Sequence, residues 1–136
     1  MHRLDDPRIS IVLPWPPKDL NPNARVHWSK RAKTARLYRE ACAVLVRQSG
    51  FKAPQTDGRL HLWIDFYPPD RRHRDDDNLT AAFKAGRDGI ADALGINDRR
   101  FVCHPYVRDQ VGGMVKVRIT AGPEEAATQD QLKERE

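Results

Sequence analysis

Leu60-His61-Leu62-Trp63-Ile64-Asp65-Phe66-Tyr67 is the stretch on which the fold turns. Leu60, Leu62, Ile64 and Phe66 share one face, and His61, Trp63, Asp65 and Tyr67 share the other, which is the period of a half-buried β-strand. Pro68 and Pro69 end it, because proline cannot donate to a sheet ladder. Upstream, residues 9–13 form a short apolar run rich in β-branched side chains, read as a strand that leaves the sheet at Pro14, with Pro16 and Pro17 following. Residues 18–27 lack an apolar period and read as a loop. Ser29 is then read as the N-cap of an amphipathic helix that carries Ala32, Ala35, Tyr38, Cys42, Leu45 and Val46 at three- and four-residue spacing. Lys30, Lys33, Arg36, Arg39 and Arg47 take much of its remaining surface, and Gly50 stops it.

Downstream of the central strand, Leu79, Ala82, Phe83, Ile90 and Leu94 mark a second helix over residues 78–93, stopped by Gly95. Residues 101–108 and 114–121 then read as two strands joined by a turn at Val111-Gly112-Gly113. The order β-α-β-α-β-β predicts an α+β domain, two helices on a small mixed four-stranded sheet.

The chain has 136 residues, 39% of them hydrophobic and 32% charged, which suits one soluble domain with a sizeable core. No apolar run approaches the roughly 20 residues of a membrane span. The first ten residues hold no apolar stretch of the kind that directs secretion. Cys42 and Cys103 show neither a disulfide framework nor metal-ligand spacing, so the expected setting is the reducing cytoplasm. The net charge of +5 is unevenly spread: residues 124–136 carry five acids and two bases. That leaves 22 basic and 14 acidic residues, or +8, on residues 1–123, a body that attracts polyanions. Residues 1–123 are therefore read as the folded domain and 124–136 as an acidic tail, disordered or a frayed helix.

The chemistry concentrates in Asp70-Arg71-Arg72-His73-Arg74-Asp75-Asp76-Asp77-Asn78-Leu79. If the chain enters the helix extended, Asp75 and Asp77 point the same way. Carboxylates held together repel, and a shared proton, solvent, neighbouring arginines or a divalent cation relieves that repulsion. Mg²⁺ takes a few carboxylate oxygens and fills its octahedron with water and substrate phosphate. Capping is the simpler use of such a string, since Asp77 or Asn78 can cap a helix and acids suit its first turn. Arg71, Arg72, His73 and Arg74 form a grip suited to phosphates. Asn21, Asn23, Arg25, His27, Lys30 and Arg31 form either a second basic, hydrogen-bonding rim suited to phosphates or an ordinary loop and helix start. Asp70 is read as an ion-pair partner of Arg71 or Arg72. Asp98 lies past the second helix; some 16 helical residues span about 24 Å, so it joins Asp75 and Asp77 only if the chain doubles back.

Three blocks carry a resemblance: Leu13-Pro14-Trp15-Pro16-Pro17, the stretch from Pro69 to Leu79, and Gly95-Ile96-Asn97-Asp98 followed by Phe101-Val102. Across residues 9–121 the chain resembles the RusA family of Holliday junction resolvases. The resemblance implies a RusA-like fold, a homodimer, four-way junction DNA as partner, and paired nicks that require Mg²⁺, with Mn²⁺ as a substitute. It implies that Asp75, Asp77 and Asp98 bind the metal and are catalytic. The family's lysine, four residues past the second aspartate, falls on Ala81 here. Lys84 lies seven residues past Asp77, nearly two turns, and either replaces that lysine in catalysis or pairs with Asp88 at i+4. No membrane and no organic cofactor are expected. A nuclease for flaps or forks, and a non-catalytic module that holds branched DNA, are the alternatives.

Overall fold

The computed structural model describes residues 10–122. Its elements are β1 (Ser10–Pro14), α1 (Trp28–Ser49), β2 (Leu60–Tyr67), α2 (Asp76–Ala82), α3 (Lys84–Leu94), β3 (Phe101–Val107) and β4 (Met114–Ala121). The acidic tail expected at 124–136 lies outside the described residues. The fold is α+β, with a four-stranded mixed sheet in the order β1-β4-β2-β3 and three α-helices. β4 runs antiparallel to both β1 and β2, whereas β3 runs parallel to β2, with Leu60 opposite Phe101 and Phe66 opposite Val107. A parallel pair needs a crossover, and α2 with α3 supply it.

The alternation in β2 resolves as its period requires except at His61, which is buried although it lies on the second face. Leu60, Leu62, Ile64 and Phe66 are buried with Val115, Val117 and Ile119 of β4 and Leu13 of β1. Tyr38, Cys42 and Val46 of α1 and Leu79, Phe83 and Ile90 from the crossover close the same core. The Tyr38 hydroxyl, buried with it, donates to the Pro14 carbonyl at 2.6 Å and ties α1 to the end of β1. On the other face of the sheet the ring of Trp63 stacks on His104 at 4.1 Å, and Arg118 lies over it at 5.4 Å. Cys103 is half-buried against the core, with the Arg87 guanidinium 4.0 Å from its sulfur. Among the described residues no helix is long and apolar enough to cross a membrane.

Three local features differ from the sequence reading. α1 is capped by His27, not Ser29: the His27 ring nitrogen accepts from the Ser29 amide at 3.1 Å, so the helix starts earlier. Leu45 is 37% exposed, and the buried stripe of α1 is Tyr38, Cys42, Ala43 and Val46. The single helix expected over 78–93 is two helices with a break at Phe83. Phe83 (φ −85°, ψ −1°) turns its ring into the core, edge-on to Phe66 at 5.9 Å and to Tyr38 at 6.4 Å.

α1 and α3 cross closely, and glycine makes that possible. A methyl group at Gly89 would run into the Arg39 carbonyl oxygen and stand 3.0 Å from Cys42 Cβ. Arg39 also clasps Asp92 of α3 with two hydrogen bonds, 2.6 and 2.8 Å. α3 ends at Gly95, whose left-handed φ of 68° is open to glycine at little cost.

Candidate metal centre and nucleic-acid cleft

After Pro68 and Pro69 the chain makes a tight turn that delivers three carboxylates to the start of α2. Asp70 organises the turn. Its carboxylate takes the Arg72 amide at 3.0 Å, the Arg74 guanidinium at 2.9 Å and the Arg72 guanidinium at 3.3 Å. The Arg74 guanidinium first, and then the Arg72 amide, hold the Asp70 carboxyl well below the usual carboxylate range. This corrects the expected pairing in one respect: the partners are Arg72 and Arg74, not Arg71.

Arg74 serves the scaffold. Its side chain is 15% exposed and also donates to the Asp70 carbonyl at 3.2 Å and the Arg72 carbonyl at 3.0 Å. The same guanidinium lies 5.6 Å from the centroid of the Trp15 ring, which in turn meets Phe66 edge-on at 6.0 Å. Arg74 thus holds the turn through Nη1, while its Nε and Nη2 groups make no hydrogen bond with a described residue. Arg31 donates to the Asn21 carbonyl at 3.1 Å and the Ala24 carbonyl at 2.8 Å. Lys30 faces Asp19 at 3.6 Å and stays 66% exposed. Asn21 accepts the Asn23 amide on its side-chain oxygen, which leaves its NH₂ free of described partners. Arg25, Arg71 and His73 are exposed and make no hydrogen bond or ion pair with a described residue.

Asp75 is the N-cap of α2, and its Oδ1 accepts the Asp77 amide at 2.8 Å. The cap thus belongs to Asp75, not to Asp77 or Asn78. It also changes why the acids converge: Asp75 is extended and Asp76 already helical, so the chain curls at the cap instead of alternating. Asp75, Asp76 and Asp77, all exposed, each offer an oxygen within 4.8 Å of the others. Among the described residues no other group of three or more His, Cys, Asp or Glu comes together in this way. Asp76, to which the sequence assigned no role, is thus a member of the group, and its adjacency to Asp75 and Asp77 was the signal.

Asp98 is not brought to the acids. It sits in a short 3₁₀ turn (Asp98–Arg100) that feeds β3 at Phe101, whereas Asp75 and Asp76 share a depression with Tyr106 and Val107 at the far end of that strand. Six residue steps of a strand separate those ends, about 20 Å. Because β3 lies parallel to β2, the crossover must return to the start of the sheet, and Asp98 returns with it. There it pairs with Arg87 at 3.4 Å. Lys84, 62% exposed, pairs with Asp88 at 3.1 Å, the second of the two readings open for it.

Beside the acids lies a cleft of about 480 Å³ between the Pro-rich loop after β1, the 69–74 turn and α2. Trp15, Pro16 and Pro17 line it from one side, Leu79 and Ala82 from α2, and Asp75 lies at its edge with Arg72 and His73. Lys18 and Asn78 also line it. The sequence reading gave neither a role in binding, although Lys18 directly follows the proline run that shapes the wall.

The fold and site thus define an α+β protein with a surface carboxylate triad set against a cationic cleft. No family model matches the chain. It is 52% identical over 122 residues to an uncharacterized protein of Xylella fastidiosa (strain Temecula1 / ATCC 700964), an alignment that covers 87% of this chain and 80% of that one. The chain belongs to the same family as that protein.

Proposed function

We propose that this protein is a divalent-cation-dependent DNA endonuclease of the RusA type, selective for branched DNA and acting in the cytoplasm as a homodimer on four-way junctions. The observation that carries the reading is the convergence of Asp75, Asp76 and Asp77 within 4.8 Å beside a cleft rimmed by Lys18, Arg72 and His73. The donor set fits a hard cation: three carboxylates at the surface leave room for the water and phosphate ligands that Mg²⁺ keeps, and Mn²⁺ suits the same oxygens. A bound cation there would lower the pKa of a water and offset charge on the phosphate under attack. Asp75, Asp76 and Asp77 would hold it, with Asp75 fixed in place by its cap bond. Arg72, His73 and Lys18 draw the DNA backbone toward them. The water oxygen bonds to phosphorus as the bond to the 3′-oxygen breaks, which leaves a 3′-hydroxyl and a 5′-phosphate. Twofold symmetry matches a junction that needs two opposed cuts.

The test is nicking by purified protein of a four-way junction, a flap, a fork and a linear duplex, each with Mg²⁺ and with chelator. The expected result is metal-dependent cutting, fastest on the junction. Asp77→Asn is expected to abolish nicking while junction affinity stays equal or rises, since one repulsive charge is gone. Undiminished cleavage by that variant would sink the proposal.

A further inference from the structure

The geometry points to the cleft beside Asp75 as a binding site for one unpaired nucleotide of the DNA strand, with the base inside and its phosphate at the acid cluster. This deepens the nuclease reading and rests on it for the identity of the strand. The cleft, about 480 Å³, is of the size that takes small ligands, roughly 300–1,000 Å³. Its lining combines apolar walls with polar and charged groups that can orient a ligand. Pro16, Pro17 and Leu79 supply the apolar surface.

Two of its polar groups are amides, Asn21 and Asn78. Asn78 is half-buried and its side chain makes no hydrogen bond with a described residue, and Asn21 has its NH₂ free of described partners. An amide offers a donor and an acceptor side by side, the pattern that pairs with the edge of a base. One face of the Trp15 ring is taken, because the Arg74 guanidinium lies over it. The base is held by edge recognition and apolar walls.

Position supplies the rest. Asp75 lines this cleft and also the neighbouring depression that holds Asp76. A nucleotide seated in the cleft thus has its phosphodiester beside the carboxylates, and Lys18, Arg72 and His73 balance its charge. A paired base cannot enter such a cleft, whereas a base already unstacked enters at least cost. That links the cleft to a preference for branched DNA over duplex.

The experiment uses the full-length, ¹⁵N-labelled protein in chelator, titrated with the four 2′-deoxynucleoside 5′-monophosphates and, separately, with 2-deoxyribose 5-phosphate. At least one mononucleotide is expected to shift the side-chain amide resonances of Asn21 and Asn78 and to bind about tenfold tighter than the sugar phosphate. Asn78→Ala, which removes no described hydrogen bond and favours the helix, should weaken that nucleotide about fivefold, the loss of one neutral hydrogen bond. It should leave the sugar phosphate unchanged. A second arm places an abasic residue beside the nick in the four-way junction; wild-type nicking should slow, and Asn78→Ala should add nothing further. Equal affinity for nucleotide and sugar phosphate overturns the proposal, as does the absence of binding or undiminished nicking beside the abasic residue. Base-dependent binding by a protein that never cuts DNA would instead retire the nuclease reading and leave the cleft.

Discussion

Asp75 carries two duties that one pair of substitutions separates. Its Oδ1 caps α2 through the Asp77 amide at 2.8 Å, and its charge stands within 4.8 Å of two others. Asparagine caps about as well as aspartate, whereas alanine loses about 1 kcal/mol at such a position. Two unit charges 4.8 Å apart repel by roughly 0.9 kcal/mol in water, and 0.1 M salt reduces this to about half. Asp75→Asn removes two such pairs and keeps the cap but gives up the attraction of its charge to the helix dipole, about 0.3–1 kcal/mol, so in chelator it should be more stable than wild type by about 0.5 kcal/mol. Asp75→Ala gains the same net relief and loses the cap, ending about 0.5 kcal/mol below wild type. For a domain of this size 1 kcal/mol moves Tm by about 4 °C. The assay is thermal melting in chelator and in MgCl₂, at low salt and at 0.5 M NaCl. In chelator at low salt the order should be Asn above Ala and wild type, with the gap narrowing in high salt. Magnesium should raise wild type through binding to the native state and raise both variants less. An Asn variant that melts below wild type in chelator would show that these charges strain one another less than the helix dipole attracts them. Equal stabilisation of all three proteins by magnesium would show that the acids do not hold the ion.

Other expectations are simpler. Gly89→Ala should lower Tm: alanine in a helix is worth about 1 kcal/mol over glycine, yet the methyl meets the Arg39 carbonyl, and overpacking of that kind costs about 1–3 kcal/mol. A rise in Tm on differential scanning calorimetry would mean that α1 and α3 are not in close contact there. Burial, and then the charge of His61, hold His104 below its ordinary 6.5, so the unfolded chain takes up the proton more readily. His104 therefore contributes stability that is full above about pH 6.5 and is lost as pH falls through the lower folded value. Urea melts at pH 7.5 and pH 5.5 should show that fall, and His104→Gln should reduce it; an unchanged pH dependence would remove His104 as its source. Lys84→Ala should leave Tm nearly unchanged, because an exposed pair is worth a few tenths of a kcal/mol. It should also leave nicking intact, since Asp88 holds the ammonium; loss of nicking on a junction substrate would return Lys84 to the catalytic set.

Local periodicity made much of the fold legible. The alternations in β2 and β4 needed no partner to be read, because side chains of a strand switch faces at every step. The glycine stops of both helices are local backbone matters as well. The break at Phe83 was not legible, because the helical period runs through it; only the pocket between Phe66 and Tyr38 turns that ring inward. The same limit applied to the arginines. Arg31, Arg71, Arg72 and Arg74 look alike in a sequence, and what separates them is the set of carbonyls and carboxylates that the folded loops bring within reach.

From the order of its residues alone, the chain determined a mixed α+β domain, a basic body and three consecutive acids at a helix start, all properties set within a few residues of each position. The tertiary structure decided which acids meet. Asp75, Asp76 and Asp77 gather because a cap bond curls the chain over two residues, while Asp98 is carried to the opposite end of β3 because a strand parallel to β2 must begin where β2 begins. Nearness along the chain is written in the spacing, whereas nearness across a crossover depends on sheet order and strand direction, which no spacing records.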